Sequence, residues 1–177
     1  MASIKRKGFG QVEPNHLSAQ RTGQIYAQLI ADSSLNIIEN GQFLKYDYAN
    51  RKAVADASVA GEWLLVYNEE KLYDPRRQMH KDFAQKKTDA VDGELVPRLF
   101  KINVGDIYTT NTVGSGNTSE DAETTAVTIA KGDILAPNAN GFLVVNNNPS
   151  AFPAFKVVEI TDLPDGTDAV KLQAIPV

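Results

Sequence analysis

The chain twice sets an Asn-Gly pair between apolar segments. Leu35-Asn36-Ile37-Ile38-Glu39-Asn40-Gly41-Gln42-Phe43-Leu44 is echoed by Ile134-Leu135-Ala136-Pro137-Asn138-Ala139-Asn140-Gly141-Phe142-Leu143. A two-residue type I′ turn needs positive φ at both central residues, which Asn tolerates and Gly adopts without steric cost, so each phrase reads as a β-hairpin. A second phrase, Gly105-Asp106-Ile107 with Asn111, returns as Gly132-Asp133-Ile134 with Asn138. Two copies fall short of the three or more units that a stacked solenoid needs, so the recurrence is one of turn chemistry.

The strands these turns separate are short. Glu62-Trp63-Leu64-Leu65-Val66-Tyr67 is a continuous apolar run that fits a strand buried on both faces. Phe43 to Ala49, Leu95 to Tyr108, Ala126 to Ile129, Asp133 to Ala136 and Phe142 to Val145 have β character, and Gln24 to Leu29 leans the same way. Phe155 to Ile160 and Ala169 to Ile175 form a final pair joined through Pro164-Asp165-Gly166. Tyr73 to Lys87 is polar and basic, with Met79 and Phe83 as its apolar stripe, and reads as a short surface helix or ordered loop near 74–90. Gly114 to Thr125 lacks any aliphatic side chain larger than Ala122 and reads as an exposed loop. The expected fold is mainly β, a small barrel or sandwich of short hairpins over residues 23–177, as one body or as two units of about 23–92 and 93–177.

Charge divides the chain. Residues 1–22 carry Lys5, Arg6, Lys7 and Arg21 against Glu13 alone, a net +3, while the remainder sets 14 bases against 21 acids, a net −7. With Gly8, Gly10 and Pro14 as breakers, the segment reads as an extended basic arm suited to an acidic surface. The overall net charge of −4 argues against nucleic-acid binding by bulk electrostatics. No apolar run approaches the ~20 residues that span a bilayer, and no apolar core of a signal peptide stands at the N-terminus, so no membrane partner is expected. The absence of cysteine excludes disulfides, thiolate metal sites and cysteine nucleophiles.

Little catalytic chemistry is visible. His16 lies in the arm and His80 in the basic stretch, without a local nucleophile motif. Asp162, Asp165 and Asp168 lack the alternating spacing and terminal Glu of a calcium loop and read as a turn. Gly114-Ser115-Gly116 is followed by acids rather than the Lys of a phosphate loop. No metal or cofactor is expected. An enzyme reading would place a pocket around Trp63 with Glu69, Glu70 and Asp74, and an adhesion or glycan-binding reading would use the aromatics Tyr46, Tyr48 and Tyr73.

The arm, the segment Ser18 to Leu29, the phrase Glu39 to Asp47, Gly61 to Glu69, and the C-terminal run through Ala130-Lys131-Gly132-Asp133-Ile134-Leu135 and Val170-Lys171-Leu172 together resemble head decoration proteins of tailed bacteriophages. The resemblance implies a non-enzymatic virion protein, assembled in the host cytoplasm, that binds the major capsid protein on the outer capsid lattice and stabilises it. It further implies trimers or monomers at lattice positions and an N-terminal arm reaching adjacent subunits. Lys5, Arg6, Lys7 and Arg21 would then meet acidic coat surface, with Phe9 as apolar anchor.

Overall fold

The computed structural model describes residues 1–6, 8–18, 25–26, 29–68, 83–116 and 124–177. Its strands in chain order are β1 (Ala2–Ile4), β2 (Val12–His16), β3 (Ile25–Tyr26), β4 (Ile30–Ala31), β5 (Ile37–Glu39), β6 (Phe43–Asp47), β7 (Lys52–Val54) and β8 (Leu64–Val66). They continue with β9 (Ala84–Lys86), β10 (Leu99–Phe100), β11 (Ile107–Thr110), β12 (Val127–Ile129), β13 (Ile134–Pro137), β14 (Leu143–Val145), β15 (Ala154–Asp162) and β16 (Asp168–Ile175). Two six-stranded sheets dominate, ordered β3-β10-β8-β6-β7-β4 and β14-β13-β15-β16-β11-β2, with β1-β12 and β5-β9 as satellite pairs. The fold is mainly β, and its curled sheets form a half-barrel. Of the expected helix or loop near 74–90, residues 74–82 lie outside the described residues. Residues 84–86 are strand, because Ala84, Gln85 and Lys86 pair with Glu39, Ile38 and Ile37.

The larger core lies between the sheets. Phe43, Leu65 and Phe100 from the first meet Tyr108, Leu135, Leu143, Phe155, Val157, Val170 and Leu172 from the second. The ring centroid of Phe155 is 5.5 Å from those of both Phe43 and Tyr108. A second core covers the opposite face of the first sheet, with Leu44, Tyr46, Leu64, Val66 and Leu99 against Ile38 and Leu95. Phe43 and Leu44 thus point to opposite faces, both apolar, which explains why 64–66 reads as an unbroken apolar run. The main core draws on residues from both 23–92 and 93–177.

The two Asn-Gly phrases depart from the hairpin expectation in different ways. At the first, the Gln42 N–H donates to the Glu39 carbonyl at 3.2 Å, closing a β-turn. Only Gly41 has positive φ (89°), so the turn is type II rather than I′. Its flanking strands also do not pair with each other: β5 pairs with β9, and β6 with β7 and β8. The second phrase is a hairpin, β13 to β14, but through the five-residue loop 138–142. There Asn138 Oδ1 accepts the N–H groups of Asn140 and Phe142 at 2.9 and 3.0 Å.

The two phrases also meet. The Phe43 N–H donates to the Gly141 carbonyl at 2.7 Å, and Gln42 Nε2 donates to the Asn140 carbonyl at 3.1 Å. A Cβ on Gly141 would overlap the Phe43 carbonyl oxygen. Glycine is required at this joint by contact as well as by its φ of 79°.

The Gly-Asp phrases are structurally equivalent. Asp106 Oδ2 accepts the Asn103 N–H at 2.9 Å, and Asp133 Oδ2 accepts the Ala130 N–H at 2.8 Å. Gly105 donates to the Ala174 carbonyl on β16, and Gly132 to the Val157 carbonyl on β15, each at 2.9 Å. Each Asp carbonyl accepts in return the N–H of that same partner residue. Both phrases therefore launch a strand, β11 or β13, along one flank of the β15–β16 hairpin.

The Gly141 contact separates two kinds of glycine. Gly141→Ala should cost about 3 kcal/mol or more, since strain and backbone overlap combine. Gly105→Ala, with φ of 94° but open space around it, should cost only about 1 kcal/mol. Urea midpoints of the two variants check the difference.

Candidate functional site

The N-terminal segment is extended but not a free arm. β1 pairs with β12 and β2 with β11, so residues 2–4 and 12–16 are strands of the body. Between them the Arg6 N–H donates to Thr124 Oγ1 at 3.4 Å, and the Thr124 N–H donates to the Arg6 carbonyl at 3.2 Å. Arg6 is 2% exposed, and its Nη1 donates to Glu39 Oε2 at 2.7 Å. The same carboxylate oxygen accepts the Gly10 N–H at 2.7 Å. Phe9 is buried, with Lys86 Nζ 5.0 Å from its ring centroid. Arg6 and Phe9 are therefore interior residues, which corrects their expected role as surface contacts. Lys5 is exposed, while Lys7 and Arg21 lie outside the described residues.

A polar seam continues from this ion pair. Thr112 Oγ1 donates to the Asn40 carbonyl at 2.7 Å, Asn40 Oδ1 accepts the Asn68 N–H at 2.7 Å, and Thr110 Oγ1 donates to the Gln11 carbonyl at 2.7 Å. The Gln11 N–H donates to Asn111 Oδ1 at 2.7 Å. Gly10 fits because a Cβ there would overlap both the Asn40 carbonyl oxygen and Thr112 Oγ1. The seam satisfies backbone groups where the N-terminal segment crosses the first Asn-Gly turn. Among the described residues Arg6 Nε and Nη2 find no acceptor. Desolvation of the two charges is therefore incompletely offset.

The other sequence candidates scatter. His16 is half-buried on β2 opposite Ile107, and His80, Tyr73, Glu69, Glu70 and Asp74 lie outside the described residues. The Asp162–Asp168 group is the β15–β16 turn: Asp165 accepts the Thr167 N–H at 3.0 Å and Gln11 Nε2 at 2.6 Å. Among the described residues no group of three or more His, Asp or Glu could hold a metal ion. Gly116, at the start of the expected loop, packs on Phe142, and Thr124 near its end is buried, while 117–123 lie outside the described residues.

The surface offers shallow clefts. One, of about 300 Å³, is lined by Tyr46, Tyr48, Gly61, Glu62 and Leu64. Another, of about 400 Å³, is lined by Phe83 to Lys86, by Asp89 and Ala90, and by Glu94 to Val96. Beside the second, the Ala31 N–H donates to the Leu95 carbonyl at 2.8 Å, bringing β4 against the 90–96 segment. Val96 (44% exposed) lines this cleft, Ile30 (39%) lines an adjoining one, and Val91 is 85% exposed. Trp63 and Tyr67 both pack against the main core, with Lys45 Nζ 4.7 Å from the centroid of the Trp63 ring. The chain has no match among protein-family models, curated proteins or solved structures.

Turn carboxylates carry the resolved acid shifts. Asp32 is held below its ordinary range by the Ser34 N–H and hydroxyl and by Lys52, Asp47 by Asn50, and Asp56 by Ser58. Burial pushes Asp165 upward, but its Gln11 and Thr167 hydrogen bonds outweigh it and hold the carboxyl low. Groups depressed in the folded state stabilise it above the unfolded carboxylate range, and that stability is lost as pH falls through the folded values. The melting temperature should therefore hold from pH 7 to about 5 and fall progressively below about pH 4. In a second test, Glu39→Gln leaves the Arg6 charge unpaired and should cost about 3 kcal/mol, while Arg6→Met with Glu39→Met should recover most of that loss. Chemical denaturation of the single and double variants measures both.

Proposed function

We propose that this chain is a decoration protein of a tailed-phage capsid, which binds the major capsid protein on the outer lattice and stabilises the shell without catalysing a reaction. The observation that supports this reading best is a set of exposed apolar side chains on and beside the 90–96 segment of the β body. Val96 lines one groove and Ile30 a second that shares Glu94 and Leu95 with it, and Val91 stands exposed on the segment between Ala90 and Glu94. Exposed apolar clusters of this kind mark protein contact surfaces. In this proposal the docking face is the 90–96 ridge rather than the N-terminal segment, whose Arg6 and Phe9 are committed internally. Each copy contributes a modest contact, and many copies on one lattice act together.

Sedimentation of mature, undecorated shells mixed with the purified chain tests the reading. Copies bound should saturate at a number set by the lattice, with the protein occupying positions as monomers or trimers. The double variant Val91→Asp, Val96→Asp should keep the parent's melting temperature, because both side chains are exposed, and should lose most of the bound copies. Absence of saturable binding by the parent chain would sink the proposal.

A further inference from the structure

We propose that the cleft between Tyr48 and Glu62 binds a neutral hexopyranose unit of a glycan. The inference is independent of shell binding and rests on how the chain builds this cleft. Tyr48 stands mostly exposed, at 73%. It is nonetheless held: its ring centroid lies 5.7 Å from that of the buried Tyr46, tilted by 52°. The turn that follows is closed by Asp47, which accepts the Asn50 N–H at 3.1 Å and Asn50 Nδ2 at 2.6 Å.

The opposite wall is equally supported. Lys45 Nζ reaches under the 56–61 loop and donates to the carbonyls of Ala57 and Val59 at 3.1 and 2.8 Å. Ser58 caps the same loop by donating its N–H and hydroxyl to Asp56, both at 2.7 Å. The chain then passes through Gly61 to Glu62, whose carboxylate meets Lys101 Nζ at 3.2 Å. Buried Leu64 and Tyr46 complete the lining, giving an open space of about 300 Å³.

An aromatic ring, an apolar base and the Glu62 carboxylate form the pattern that small polar ligands with an apolar side require. A pyranose ring offers such a side, since its C–H face can lie on the electron-rich face of Tyr48. Its hydroxyls can then donate to the Glu62 carboxylate. Among the described residues the lining holds no cation for an acidic sugar, and the Glu62 charge is already met by Lys101, so a neutral unit fits.

Titration of the isotope-labelled 177-residue chain with cellobiose, lactose, maltose and chitobiose, followed by amide chemical shifts, tests the site. At least one sugar should give saturable shifts at Tyr48 and Glu62. Tyr48→Ala should weaken that binding by about tenfold or more with an unchanged melting temperature, as expected for removal of an exposed anchor. Tyr48→Phe, which keeps the ring, should bind like the parent. Shifts from none of the four sugars, or equal binding by Tyr48→Ala, would overturn the proposal. So would loss of shell binding in Tyr48→Ala without any sugar response, since the cleft would then be a coat contact. Failure of the parent chain to bind shells bears on the decoration reading alone.

Discussion

The Arg6–Glu39 ion pair is the contact around which the N-terminal segment and the first Asn-Gly turn arrange themselves. A fully buried pair of charges is a poor source of net stability, because the cost of removing both from water offsets their attraction. Its effect is positional. Glu39 ends β5, begins the type II turn, and receives both the Arg6 guanidinium and the Gly10 N–H. A chain that placed its N-terminal segment elsewhere would leave a buried carboxylate unpaired, so alternatives are penalised more heavily than the native arrangement is rewarded. The same turn hands the chain to β6, whose Phe43 bonds the Gly141 carbonyl. One electrostatic contact therefore sits a few residues from the joint between the two sheets.

The second sheet solves a different problem. Its β15–β16 hairpin is flanked by two equivalent turn-and-strand units, and such an arrangement leaves outer edges that could pair with another copy. Both outer edges are interrupted. Pro14 lies within β2 and lacks the N–H needed to extend a ladder. On the other side Val113 bridges to Leu143, and the Gly114 N–H takes the Leu143 carbonyl at 2.7 Å. For a protein made in many copies, as the proposed function requires, these interruptions reduce edge-to-edge association.

Local chemistry was legible in the sequence, and pairing was not. The Pro164-Asp165-Gly166 turn, the final hairpin and the doubly buried 64–66 strand follow from turn residues and apolar runs that need no distant information. The type of the first Asn-Gly turn turned on which residue takes positive φ, and its flanking strands chose partners remote in sequence. Arg6 misled because a count of charges treats every base as solvated, while its carboxylate partner lies 33 residues away. Tyr46 and Tyr48 share strand parity and look alike on paper. Because β6 ends at Asp47, one ring stays in the core and the other emerges into solvent. A strand end of this kind is set by tertiary pairing, so the cleft had no sequence signature beyond the presence of aromatics.

Docking through a folded ridge differs energetically from docking through an arm. A segment that orders on binding loses backbone entropy of about 1–2 kcal/mol per residue at that moment, which weakens each copy's grip. Here residues 2–4 and 12–16 are already paired within the sheets, so that entropy loss belongs to folding rather than to association. In the proposed docking, a contact centred on Val91 and Val96 would need less interface to reach a given affinity, and would demand instead shape complementarity with a fixed partner surface. Rigidity also bears on the cleft. Lys45 and Asp56 hold one wall and Asp47 the other, so a sugar entering beside Tyr48 would meet a site whose backbone need not reorganise, the condition under which a small, weakly bound ligand is held at all.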